Sequence, residues 1–263
     1  MALSKEQKKE IKKLLEKKID NKLKKYARES VSMPFLSRLI QDSEKVAAYS
    51  FIHSIATTLG MSIYEDVSVI IAKDTAKECF RNYSIGGVLS KDQKSVISNI
   101  ISGLRNKERK TNITLETKEV LKASTDAGTY HKEGNKVDFY MLRNGKEYYF
   151  EIKTVKPNID VFTKSKTKLL EWVARKRKPV KVFLAFPYNP YAPKPYSRFT
   201  IENMMDHPND FLVGEEYWDF LGGKNTYKDL LYLFDVVGKN YKEKIMRKIK
   251  EVAEVKVKQN KNI

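Results

Sequence analysis

The sequence predicts an α/β fold. Three observations carry it: a β-hairpin pattern over residues 136–155, an amphipathic helical pattern over 160–178 directly after it, and a short apolar run of buried-strand type over 181–188. Long helical patterns stand on either side of this hairpin–helix–strand order.

Taken in order, residues 4–27 open with Ser4 as N-cap and Gln7 three positions later, a capping-box pattern. Ile11, Leu14, Leu15, Ile19 and Leu23 then follow helical spacing. The rest of that surface is mostly lysine, which is either a solvated face or one turned to phosphates. Pro34 ends any helix entering from the left. A second helix starts near Asp42 or Ser43 and runs to Gly60, a candidate C-cap. His53 lies within it as a structural residue rather than a ligand. Glu65 and Asp66 follow, leading into a third helix or a strand–helix junction that carries Cys79, expected to be small and buried. Residues 84–111 read as loop, amphipathic helix and basic end, and residues 113–123 are ambiguous. Residues 125–135 form a loop whose Asp126, Thr129, Tyr130 and His131 can line a cleft. After the hairpin, Asn158 is a candidate N-cap for a helix that Pro179 ends. Its buried side is Val161, Phe162, Leu169, Leu170, Trp172 and Val173. Its basic side is Lys164, Lys166, Lys168, Arg175, Lys176, Arg177 and Lys178. The tyrosine- and proline-rich residues 188–199 form an extended loop. It is either a rigid connection or a segment entering a DNA groove, with Lys194 and Arg198 as donors to guanine edges. Gly222-Gly223 stops a helix bearing Trp218, and residues 226–252 form one amphipathic helix or a pair.

The hairpin holds the chemistry. Asn144-Gly145 suits a type I′ turn, which needs φ > 0 at both central residues. Arg143 then pairs with Lys146, Asp138 lies across from Glu151, and Lys136 across from Lys153. Residues two apart share a face, so Val137, Phe139, Met141, Tyr148, Phe150 and Ile152 make an apolar one. Lys136, Asp138, Tyr140, Tyr149, Glu151 and Lys153 fall on the other. Directly opposed carboxylates repel. A hairpin built only for structure has no use for them, whereas a divalent cation does. Lys153 stands beside such a site, able to stabilise charge on a phosphate or to orient or deprotonate a water. The plainer reading is a solvated polar face whose charges alternate in sign.

Composition narrows the partners. The chain carries a net charge of +18, which points to a polyanion, with nucleic acid ahead of an anionic membrane surface. One cysteine excludes an internal disulfide and a cysteine-rich metal site, and fits a reducing cytoplasm. The N-terminus lacks the apolar core of a signal peptide, and no apolar run is long enough to span a bilayer. There is no internal repeat, GxxxxGK[ST] loop, HExxH, CxxC pair or GxSxG elbow.

Asp138 followed by Glu151-Ile152-Lys153, on paired strands ahead of a basic helix and a strand, resembles the PD-(D/E)xK nuclease core, with Val137 where the motif has proline. Over more of the chain, MPFLSRLI, AAYSFIHSIATTLGMSIYEDVS, STDAGTYHKEGNKVDFYM, FEIKTVKPN, AFPYNPY and LGGKNTYKDLL are similar to the TdeIII/MjaII group of type II restriction endonucleases. The resemblance implies a mixed central sheet flanked by helices. It implies a single endonuclease domain over 1–263, mainly helical to about 112, with a catalytic core at about 113–200 and a helical extension at 201–263. Carried over, Asp138 and Glu151 would be metal ligands, Glu65 a further acid, and Lys153 the catalytic lysine. One or two Mg²⁺ would serve each site. Lys164, Lys168, Arg175, Lys176, Arg177, Lys194 and Arg198 would contact DNA. The implied function is Mg²⁺-dependent cleavage of double-stranded DNA at a short palindrome such as GGNCC, by a prokaryotic cytoplasmic homodimer. A cognate methyltransferase would share its system without a stable complex. Two alternatives stay open at this point: a structure-specific or repair nuclease of the same core, and a non-catalytic basic DNA-binding protein.

Overall fold

The structure is a computed structural model describing residues 3–26, 33–153, 157–197 and 203–260. The chain divides into two compact units, one comprising 1–2 and 65–227, the other 3–64 and 228–263. These limits coincide with neither 112 nor 200, because the sheet takes strands from both sides of the expected core.

In the first unit the sheet has five strands in the order β1 (Glu78–Ser84), β2 (Lys136–Arg143), β3 (Lys146–Ile152), β4 (Lys181–Phe186) and β5 (Phe211–Val213). The first three are antiparallel, and β3, β4 and β5 are parallel. The sheet is therefore mixed, as the resemblance implied. The turn is as expected, with Asn144 at φ 52° and Gly145 at φ 71°, and Arg143 faces Lys146. Parallel β3 and β4 need a crossover, which is helix α7 (Ile159–Lys176). Asn158 caps it, accepting from the Val161 amide at 3.0 Å.

Both faces of the sheet are covered. On one, helices α5 (Lys91–Arg105), α6 (Ile113–Lys122) and α7 bury Leu169, Leu170, Trp172 and Val173 against Tyr140, Tyr149 and Val182. The expected polar face of the hairpin is thus only partly polar: its two tyrosines belong to the core. On the other, Phe150, packed beside Phe139, meets side chains of helix α8 (Glu215–Gly222), 5.6 Å from Tyr217 and 6.1 Å from Phe220 between ring centres. Full burial of each such ring is worth about 1.5–3 kcal/mol. Tyr217 hydrogen-bonds Ser68 at 2.7 Å, fastening α8 to helix α4 (Tyr64–Ala72).

The second unit is helical: α1 (Lys5–Lys25), α2 (Pro34–Ile40), α3 (Ser43–Thr58) and the part of α9 (Thr226–Asn260) beyond 227. The Ser4/Gln7 capping box forms in both directions, at 3.1 and 3.0 Å. Asp42 caps α3. Gly60 does not end that helix. The chain continues through a π-helical turn, Leu59–Ile63, into α4 without a left-handed residue. Residues 226–252 belong to one helix. His53 is exposed and stacks on Tyr49. Cys79, on β1, is half-buried rather than buried.

Candidate active site

β2 and β3 part company at one point. Their ladder runs from Arg143–Lys146 to Phe139–Phe150 and ends there. Beyond it, Val137 and Lys136 pair only with β1, while Glu151 and Ile152 pair with Leu184 and Ala185 of β4. Lys153 continues that second direction, its amide donating to Ala185 O at 3.0 Å. The expected cross-strand pairs Asp138–Glu151 and Lys136–Lys153 are therefore not formed as ladder pairs. Asp138 falls in the fork. The β1 register also omits it, where Asn82 takes φ 51°. Its carboxylate bridges the gap instead, Oδ2 accepting from the Ile152 amide at 2.8 Å. A side chain thus replaces a ladder bond, satisfying a donor that the divergence would orphan.

Around the fork the charges are dense and mostly buried. Glu151 is 4% exposed, and two lysines hold it: Lys153 Nζ lies 2.7 Å from Oε1, and Lys168 Nζ of α7 hydrogen-bonds Oε2. Glu65, at the start of α4, is 8% exposed and lies 3.6 Å from Arg81 Nε of β1. Its Oε2 is buried without a hydrogen bond. Burial, then the Asp138 carboxylate, pushes Glu65 up to about 7 against the pull of Arg81. Burial and the Glu151 charge raise Asp138 as well. Burial alone would lower Lys153, but Glu151, Asp138 and Glu65 outweigh it and the ammonium is held above its ordinary range. Three carboxylates and a lysine from α4, β2 and β3 thus share one electrostatic neighbourhood, the set expected from sequence.

Among the described residues, no three Asp, Glu, His or Cys side chains converge closely enough to form a complete metal cage. A hard cation such as Mg²⁺ does not need one; it keeps several waters and takes one or two carboxylates with substrate phosphate. The donor set fits that demand. It is all oxygen, it leaves an unsatisfied buried oxygen on Glu65, and its mutual repulsion is what a divalent cation would relieve.

The residues expected to meet DNA separate into different roles. Arg175 is 4% exposed and donates to the carbonyls of Gly87 at 3.1 Å, His131 at 2.7 Å and Glu133 at 2.9 Å. It ties two loops to α7 and does not face a phosphate. This corrects the expectation for Arg175; the loop bearing His131 is held at that end of the helix. Lys176 pairs with Glu147 at 3.0 Å, as Lys178 does at 2.8 Å. Glu147 stands four residues from Glu151 on β3, roughly 13 Å along the strand and toward the turn. Arg177 is the exposed, left-handed C-cap of α7, beside that pair. Lys166 is not on a basic surface at all. It is fully buried, 2.6 Å from Glu116 and hydrogen-bonded to Asp210. Lys168 points at Glu151. Lys164 and Lys194 are exposed. Arg198 lies outside the described residues. The tyrosine- and proline-rich loop is anchored by Tyr196, whose ring meets Phe186, Phe211 and Tyr191.

Two contributors to the site escaped sequence reasoning. Arg81 sits on β1, whose residues alternate in exposure in the folded chain, but ECFRNYS does not alternate apolar with polar residues and so gave no strand signal. Lys168 was assigned to DNA, and nothing in a helical lysine's spacing tells which strand it crosses.

A family model described as "Type II restriction endonuclease, HinfI" matches residues 3–238. Among curated proteins, the chain is 29% identical to the type II restriction enzyme HgiEI of Herpetosiphon aurantiacus, over 88% of this chain and 86% of that protein. It is 30% identical to HgiCII of the same organism, over 76% and 75%. It is 32% identical to MjaII of Methanocaldococcus jannaschii, over 73% and 55%. No solved structure matches.

Proposed function

Because the chain belongs to the HinfI family of type II restriction endonucleases, and so is a site-specific deoxyribonuclease, we propose that a PD-(D/E)xK-type centre of Asp138, Glu151 and Lys153 carries out its hydrolysis with Mg²⁺. The supporting observation is the strand fork, in which the Asp138 carboxylate accepts from the Ile152 amide and Lys153 pairs with Glu151. Asp138 and Glu151 would hold the cation, with Glu65 as a third acid. When bound, the cation supplies Lewis-acid stabilisation of charge on the phosphoryl and leaving oxygens. Asp138 is oriented by the Ile152 amide and Glu151 by Lys153, so neither carboxylate must be ordered during reaction. Lys153 is 37% exposed at its side chain, and its ammonium pairs with Glu151 Oε1. There it adds electrostatic stabilisation to the phosphate and orients the attacking water.

Affinity for DNA comes mainly from charge, since the chain carries +18. Exposed Lys164, Arg177 and Lys194 remain candidates for phosphate or base contacts, as does Arg198, which lies outside the described residues. The recognised site would be a short palindrome, with GGNCC suggested by the sequence resemblance. A palindrome calls for a two-fold homodimer, each subunit cutting one strand. A cognate methyltransferase would protect host DNA, and the cytoplasm is the expected compartment; no helix among the described residues is long and apolar enough to cross a membrane.

The test is a digest of a long sequenced duplex with Mg²⁺, with EDTA and Lys153→Ala controls and sequencing of the fragment ends. Discrete ends sharing one palindrome, lost in both controls, are expected. Undiminished cutting by Lys153→Ala would remove the assigned centre. Cutting in EDTA would remove the metal.

A further inference from the structure

Resting on that reading, we propose that Lys168 is an exchangeable counter-ion of the active site: it occupies Glu151 when no divalent cation is present and gives way when one binds. Glu151 is 4% exposed, and a buried carboxylate must be compensated. Both of its oxygens are engaged, Oε1 by Lys153 and Oε2 by Lys168. A cation using this carboxylate must therefore displace an ammonium or accept its repulsion. Lys153 lies on the same strand end as Glu151, and its backbone is fixed to β4. Lys168 arrives from α7 and has a second partner besides Glu151. Its Nζ lies 5.4 Å from the ring centre of Trp172, one helical turn on, and that ring is held by Trp172 Nε1 donating to Gly134 O at 2.8 Å. Released from the carboxylate, the ammonium keeps this cation–π contact and so stays partly compensated. Lys168 is thus a positioning residue acting through Glu151. It preserves the carboxylate in the empty enzyme and lowers its affinity for the free ion.

Calorimetric titration with Mn²⁺ alone, without DNA, tests this on the full chain and on Lys168→Met, Lys168→Gln, Lys168→Arg and Glu151→Gln. Both neutral variants should bind Mn²⁺ at least about tenfold more tightly, because a unit charge next to the ion has gone. Lys168→Gln keeps a hydrogen-bond donor for Glu151 and guards against loss of fold in Lys168→Met. Lys168→Arg keeps the charge and should stay within about threefold of the wild type. Glu151→Gln should lose the site. If the wild type binds Mn²⁺ but folded Lys168→Gln binds no more tightly, the counter-ion role is overturned and the proposed catalytic centre stands. If the wild type binds no Mn²⁺, both fall.

Discussion

Glu65 should destabilise the metal-free protein at neutral pH and above. Its folded-state value is about 7, against an ordinary 4.5, chiefly through burial and Asp138. That difference corresponds to roughly 3 kcal/mol of folding free energy. The sign follows from linkage: the folded state binds the proton more tightly than the unfolded state does. The contribution is harmless below pH 4.5, grows as a penalty from there, and reaches its full size once the pH has risen past 7. Glu65→Gln mimics the protonated form at every pH. It should match the wild type near pH 4.5 and exceed it by roughly 3 kcal/mol at pH 8 in EDTA. Urea denaturation followed by tryptophan fluorescence is the assay, because the two tryptophans of the chain, Trp172 and Trp218, both lie in the unit that holds Glu65. Taking the difference between variant and wild type at each pH cancels the other titrating groups. A difference that stays constant from about pH 5 to 8, or a less stable variant at pH 8, would refute the reasoning. Adding Mg²⁺ at about pH 8 should stabilise the wild type more than the variant, since the repulsion that the cation would relieve is already absent once Glu65 has been replaced by a neutral amide.

Four further outcomes are expected. Glu151→Gln and Lys153→Ala should each lower the cleavage rate about a hundred- to a thousandfold, by analogy with removal of a single electrostatic stabiliser, while gel-shift affinity in EDTA changes little; a joint loss of binding would point to misfolding. Lys166→Met leaves Glu116 and Asp210 buried without their partner, so unfolding should be easier by about 3–5 kcal/mol; a melting temperature near wild type would mean that the triad is not a net support. Arg175→Ala should weaken the fold and leave the salt dependence of DNA binding unchanged. Lys164→Ala with Lys194→Ala should reduce the slope of log affinity against log salt by about one per lost phosphate contact, and an unchanged slope would place both lysines off the DNA.

Local signals determined much of this protein without any structure. Turn chemistry at Asn144-Gly145 specified the hairpin and its register, because only a left-handed pair closes that turn. Ser4, Asp42 and Asn158 announced three helix starts, because a cap needs nothing beyond the next three residues. Asp138, Glu151, Lys153 and Glu65 were legible as a carboxylate–lysine set from the hairpin and from resemblance. Short strands β1 and β5 were not, since a few residues of β pattern gain their identity from a neighbouring edge rather than from themselves. Gly60 read as a helix end, but the chain stays right-handed there and runs on through a π turn. The basic side of α7 looked uniform in sequence, since lysines and arginines at helical spacing are alike until something is placed beside them. Only the tertiary structure decided that Arg175 faces loop carbonyls, Lys166 a buried acid pair, Lys176 the turn end of β3, and Lys168 the carboxylate of Glu151. The fork that frees Asp138 has the same origin. It exists because β2 keeps pairing with β1 while β3 follows β4, a choice made by strands distant in sequence.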